Sequence, residues 1–214
     1  MRAAGVPRHE IFVTTKLWND DHGYDNTLRA FDRSLEQLGL EYVDLYLIHW
    51  PVPHYRLETW RALERLTLDG RVRDIGVSNY MARHIDEILD YAPVVPVVNQ
   101  IELSPYLYRT RLDTVRRCRE TGIVLEAYSP LTKARKLDDP RQRRLGMALS
   151  NEQDCRGPLA NGSLIFPDLG IANAGSREAI GYPHLDEPCP RLRDRMVVHV
   201  ALAACHDHLV RHPR

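Results

Sequence analysis

The sequence predicts an α/β protein of parallel strands joined by crossover helices. Short β-branched runs alternate with amphipathic stretches at a regular spacing from Ile11 to Ala127. Three of those amphipathic stretches stop at a glycine, Gly39, Gly70 or Gly122, where a helix C-terminus favours a left-handed residue. Beyond Pro140 the pattern is lost.

The elements follow in chain order. Ile11–Thr15 reads as the first strand. A helix then carries Leu28, Phe31, Leu35 and Leu38 at helical spacing, with Asp25 and Asn26 as capping candidates and Gly39 as its stop. Val43–Ile48 is the second strand, and Trp60, Leu63 and Leu66 mark a helix closed by Gly70. Asp74–Val77 is the third strand, followed by a helix through Ile85, Ile88 and Leu89. Val97–Ile101 is the fourth, a helical stretch runs over Thr110–Thr121, and Val124–Ala127 is the fifth. Residues 141–190 mix glycine and proline without a sustained period, and only Leu192–Val210 regains helical character, through Met196, Val197, Val200 and Ala204. The expected organisation is therefore a strand–helix unit over residues 1–140 and a divergent tail over 141–214.

Composition bounds the function. The 214 residues are 43% apolar and 27% charged, enough for one sizeable core. Lys plus Arg equals Asp plus Glu at 29 each, so no electrostatic footprint favours nucleic acid or an anionic membrane surface. No stretch has the roughly 18 apolar residues of a membrane span, and no apolar signal core is expected, which points to the cytoplasm. Cys118, Cys155, Cys189 and Cys205 are scattered without a pairing pattern and read as free thiols. Cys205, His208 and His212 share a helical face but lack a companion carboxylate set, so no metal site is expected. There is no signature of oligomeric state.

Polar or aromatic residues stand at each strand end: Lys16, His49, Ser78 with Asn79, Gln100, and Tyr128 with Ser129. In a closed parallel barrel such ends converge on one open rim, since side chains fill the interior. The strings around them are more specific. Ile11–Asn19 (IFVTTKLWN), Tyr42–Pro51 (YVDLYLIHWP), Gly70–Asn79 (GRVRDIGVSN), Val97–Pro105 (VVNQIELSP) and Glu126–Leu131 (EAYSPL) resemble consecutive signature blocks of the aldo-keto reductase family, over about Gly5 to Pro140.

The resemblance implies a (β/α) barrel of TIM type, incomplete here, with about five of its eight strand–helix units recognisable. It implies reduction of a small-molecule aldehyde or ketone by NADPH, with NADH as the alternative cofactor. Lys16 matches the lysine that lowers the pKa of a tyrosine acid, and His49 the histidine that orients the substrate carbonyl. Ser78, Asn79 and Gln100 match the group that holds the nicotinamide carboxamide, which presents both a donor and an acceptor. Tyr128 matches the aromatic that stacks on the nicotinamide, Ser129 and Leu131 the residues near the pyrophosphate, while Trp18 and Trp50 are expected to line the substrate pocket.

The family's tyrosine acid and its aspartate precede the lysine block, and no matching block precedes Lys16. The basic block that would hold the 2′-phosphate is not recognisable in residues 141–214, whose irregular texture is what a shifted reading frame would leave. Two expectations follow: a carbonyl reductase by ancestry, or a truncated, non-catalytic relative that binds nucleotide or a partner. For the chain as written the second is the favoured one.

Overall fold

The computed structural model describes residues 6–129, 139–140, 171–172 and 196–199. Five segments rich in β-branched and apolar residues form strands buried on both faces, as parallel strands covered by crossover helices must be: β1 (Ile11–Leu17), β2 (Val43–Ile48), β3 (Val72–Ser78), β4 (Val98–Glu102) and β5 (Val124–Tyr128). Between them run α1 (Tyr24–Leu38), α2 (Arg56–Leu68), α3 (Ala82–Tyr91) and α4 (Tyr108–Glu120). All neighbours pair in parallel, in chain order. The result is a curled, incomplete TIM-type (β/α) barrel.

Side-chain alternation separates two cores. Ile11, Val13 and Leu17 of β1, with Tyr46 and Ile48 of β2, face the helices and pack with Phe31, Trp60, Leu63, Ile85 and Ile88. Phe12, Leu45, Leu47, Val98 and Val124 point the other way and form a smaller cluster inside the curl. Phe31 meets Tyr46 edge to face at 4.8 Å between ring centroids, and buried Trp60 donates its Nε1–H to the Val94 carbonyl at 3.1 Å.

A buried carboxylate ties the first three strands together. Asp44 of β2 is fully buried and accepts hydrogen bonds from the Val13 amide at 2.9 Å and the Arg73 guanidinium at 2.8 Å, with Arg8 at 2.7 Å. Two cations and a backbone donor compensate its desolvation, and both guanidinium groups also lie over the Tyr42 ring. β3 also approaches β4 closely at Gly76, where an added Cβ would lie 2.6 Å from the Val98 carbonyl oxygen and 2.8 Å from Leu47 Cδ2 of β2.

The structure adjusts several expectations. α1 begins one residue before Asp25: its N-cap is Gly23, whose φ of 97° a side chain would strain, and whose amide donates to Thr59 Oγ1 at 3.0 Å. Asp25 lies in the first turn, and Asn26 Nδ2 donates back to the His22 carbonyl. Gly39, Gly70 and Gly122 all adopt positive φ just past their helices, as expected. β1 and β5 run further than Thr15 and Ala127, so Lys16 and Tyr128 belong to the strands and do not follow them. Within the tail, β6 (Ile171–Ala172) pairs with β5 and β7 (Met196–His199) with β1. The expected helix over Leu192–Val210 is thus a strand at residues 196–199, where adjacent β-branched valines meet the unpaired backbone of the β1 edge. The Pro140 boundary, the remainder of residues 141–214 and Cys155, Cys189 and Cys205 lie outside the described residues or at their margin.

Two outcomes test this scaffold. Gly76→Ala should destabilise the fold by about 1–3 kcal/mol, because backbone atoms must yield, read from the denaturation midpoint. His22, 5% exposed and joined to Thr59 Oγ1 through Nδ1, has a pKa lowered to about 4, chiefly by burial, with Asp21 opposing. Below about pH 6.5 the unfolded chain protonates this histidine and the folded chain does not, so stability is complete above that pH and falls as pH drops toward 4. His22→Gln should flatten that part of the melting temperature profile.

Candidate active site

Parallel pairing brings the C-terminal ends of β1 to β5 to one rim. On the inner face, polar residues gather at that rim: Lys16 above Phe12, His49 beyond Leu47, Ser78 above Gly76, Gln100 above Val98, and Glu126 and Tyr128 above Val124. Register fixes their neighbours, since Lys16 pairs with Leu47, Ser78 with Gln100, and Gln100 with Glu126.

A continuous hydrogen-bond chain joins five of the sequence-predicted residues. The Tyr128 hydroxyl donates to Asn79 Oδ1 at 2.8 Å. Asn79 Nδ2 donates to the His49 carbonyl at 2.9 Å and to Ser78 Oγ at 3.2 Å. Ser78 Oγ donates to the Gln100 carbonyl at 2.8 Å, which also accepts the Asn79 amide at 2.9 Å. Asn79 makes these contacts in the left-handed region, with φ of 63°, a conformation asparagine tolerates better than most residues. It does not cap the following helix, whose N-cap is Met81.

Lys16 and His49 stand together on one side of the rim. Burial pulls the Lys16 ammonium below the usual lysine range, with the negative charge of Glu126 opposing. Burial also lowers the His49 pKa, and the Lys16 charge lowers it further, so the imidazole is neutral at pH 7. His49 stands between two indoles, 5.1 Å edge-on from Trp18 and 6.3 Å from Trp50. Both tryptophans are substantially exposed, at 37% and 45%, and present an apolar border to solvent. The Tyr128 phenol is pushed up by burial, reinforced by Glu102, with Arg111 and the bond to Asn79 acting the other way. Ser129 follows with φ of 52°, and Leu131 lies outside the described residues.

Glu126 is the residue that motif reading passed over. It is 7% exposed and accepts from Gln100 Nε2 at 2.8 Å. A carboxylate within the apolar run VLEAY, two positions from Tyr128 and hence on the same face, is the signal that marks it. A separate cleft lies between the starts of α2 and α3, lined by Pro51, Pro53, Arg56, Arg83, His84 and Glu87, and contains none of the sequence-predicted residues. Among the described residues no group of three or more His, Cys, Asp or Glu could hold a metal, and no helix is long and apolar enough to cross a membrane.

Asn79 is the hub of this rim, so Asn79→Ala should cost about 2–4 kcal/mol by losing several buried hydrogen bonds and placing alanine at positive φ, measured by chemical denaturation.

Comparison with known proteins agrees with this geometry. The Aldo/keto reductase family model matches residues 1–156. Glyoxal reductase of Bacillus subtilis is 49% identical over 139 residues, 65% of this chain and 50% of the relative. An aldo/keto reductase from Brucella melitensis superposes with a TM-score of 0.63 at 43% identity, covering 70% of this chain and 57% of that one. A Bombyx mori aldo-keto reductase solved in complex with NADP superposes with a TM-score of 0.60 at 38% identity, covering 69% and 54%. The chain spans about half the length of the curated relatives it matches. With the family match over most of its length and this rim at its strand ends, the chain belongs to the aldo/keto reductase family.

Proposed function

We propose that this chain carries the carbonyl-orienting and nicotinamide-holding part of an NADPH-dependent reductase of small aldehydes and ketones. The observation that carries the reading is the hydrogen-bonded set Tyr128, Asn79, Ser78 and Gln100 beside a neutral His49 and a half-buried Lys16 on one rim. The residues present fit the cofactor, because a cluster of amide and hydroxyl groups matches a carboxamide and Tyr128 offers an aromatic face beside it. NADPH, with NADH as the alternative, would supply the hydride when bound. Ser78, Asn79 and Gln100 would hold the carboxamide, Tyr128 would stack on the ring, and Ser129 and Leu131 would lie toward the pyrophosphate.

His49 would direct a hydrogen bond at the substrate carbonyl oxygen, a role that a neutral imidazole fills as a donor through one ring nitrogen. Lys16 would supply positive charge near that oxygen, where negative charge develops. Trp18 and Trp50 border the position and exclude water from the carbonyl. Small dicarbonyl or monocarbonyl substrates are the class we favour, by likeness to the glyoxal reductase of Bacillus subtilis. A cytoplasmic setting fits the free, buried Cys118 thiol. For domain organisation we keep the division into a barrel portion over residues 1–140 and a distinct tail over 141–214.

Binding without turnover is the second reading, and one observation favours it. The Tyr128 hydroxyl is engaged by Asn79, and among the described residues no tyrosine hydroxyl is hydrogen-bonded to Lys16.

The two readings separate in a paired measurement: saturable quenching of tryptophan fluorescence by NADPH, and NADPH oxidation with glyoxal followed by absorbance. Reduction by the wild-type chain that falls at least about 10²-fold in His49→Ala, with NADPH binding retained, supports the reductase. Saturable binding with no oxidation supports the binding module, and absence of both removes the cofactor reading.

A further inference from the structure

Val124, Glu126 and Tyr128 share the inner face of β5, and Glu126 is the charged member of that strand. A carboxylate this deeply buried is retained only where its charge and hydrogen bonds are answered. Its Oε1 takes the NH2 of Gln100 at 2.8 Å across an in-register pair, and its charge acts on half-buried Lys16.

That bond decides which way a symmetric-looking amide points. A carboxylate accepts hydrogen bonds and does not donate them, so Gln100 must present its NH2 to Glu126 and turn Oε1 away. Apart from the second Gln100 Nε2 hydrogen, the neighbouring donors are engaged within the protein. Both Asn79 Nδ2 hydrogens go to the His49 carbonyl and Ser78 Oγ, the Ser78 hydroxyl to the Gln100 carbonyl, and the Tyr128 hydroxyl to Asn79 Oδ1. Gln100 Oε1 receives no donor among the described residues, and Asn79 Oδ1 and Ser78 Oγ each keep a second lone pair. What the cluster offers a ligand is therefore chiefly acceptors.

We propose that Glu126 is a positioning residue that sets the hydrogen-bond polarity of the Ser78–Asn79–Gln100 cluster, making it a receptor for the N–H2 end of a primary carboxamide. The inference rests on the cofactor reading above and deepens it. The site discriminates by the donor hydrogens of the nicotinamide amide, and a pyridine ring bearing an acetyl group in that place, which accepts but cannot donate, is disfavoured. Glu126 acts through Gln100 and touches no reacting atom.

The test compares binding of NADPH with that of the reduced 3-acetylpyridine analogue by quenching of tryptophan fluorescence on the full chain. The wild type should prefer NADPH by about tenfold, the scale of one hydrogen bond to a buried acceptor. Glu126→Gln introduces an amide that can donate as well as accept, frees Gln100 to turn over, and should narrow the preference to about twofold. Gln100→Met, which removes the amide and keeps the carboxylate, should narrow it equally. Circular dichroism and a cooperative melt verify each variant, and if Glu126→Gln does not fold, Glu126→Met, which removes the carboxylate and keeps the side-chain length, takes its place with the same expected narrowing. An unchanged preference in a folded variant overturns the proposal, as does a wild type that binds NADPH and the analogue equally, both leaving the cofactor reading intact. A wild type that shows no saturable NADPH binding overturns that reading and the proposal together.

Discussion

Because β1 to β5 pair in parallel and in chain order, every crossover must return the chain to the same end, and every strand must finish at the same rim. Everything chemical in this molecule depends on that arrangement. Lys16, His49, Ser78, Gln100 and Tyr128 are scattered over more than half of the chain, yet the register sets them on one inner face above a floor of Phe12, Leu45, Leu47, Val98 and Val124. The apolar floor excludes water from below. The polar groups above it consequently bond to one another, as seen in the path from Tyr128 through Asn79 to Gln100 and Glu126.

The two ends of the strands carry different kinds of buried polarity. Near the strand starts Asp44 is matched by Arg8, Arg73 and the Val13 amide, a compensated charge that holds β1, β2 and β3 together. At the rim the compensation is partial. Lys16 is half-buried with its pKa depressed, and His49 is kept neutral by partial burial and by Lys16. Perturbed titratable groups gathered at the open end of a parallel barrel mark it as the chemical end, while the satisfied network at the opposite end serves cohesion.

Much of the fold was legible because local rules and tertiary demands agree. Gly39, Gly70 and Gly122 stop their helices in the left-handed region, and the buried runs at Val43–Ile48 and Val124–Ala127 are strands. The exceptions are places where a distant contact outweighs a local preference. Asp25 and Asn26 are good caps by type, but the Gly23 amide reaches Thr59 of α2 and moves the helix start. Lys16 and Tyr128 look like loop residues by polarity, but ladder pairing with Leu47 and Glu102 extends the strands over them. Residues 196–199 have a helical pattern locally, and the edge of β1 draws them into the sheet.

The site divides along the same line. Residue types and blocks along the chain determined the parallel α/β class, the family, and the candidates Lys16, His49, Ser78, Asn79, Gln100 and Tyr128, since each rests on chemistry read within a few neighbouring positions. Tertiary structure alone decided that Tyr128 donates to Asn79, that Trp18 and Trp50 flank His49, and that Glu126 faces Gln100. Those pairings lie 26 to 49 residues apart for the two hydrogen bonds, and only strand register, set by the backbone ladder and the alternation of side chains across it, brings such partners within reach.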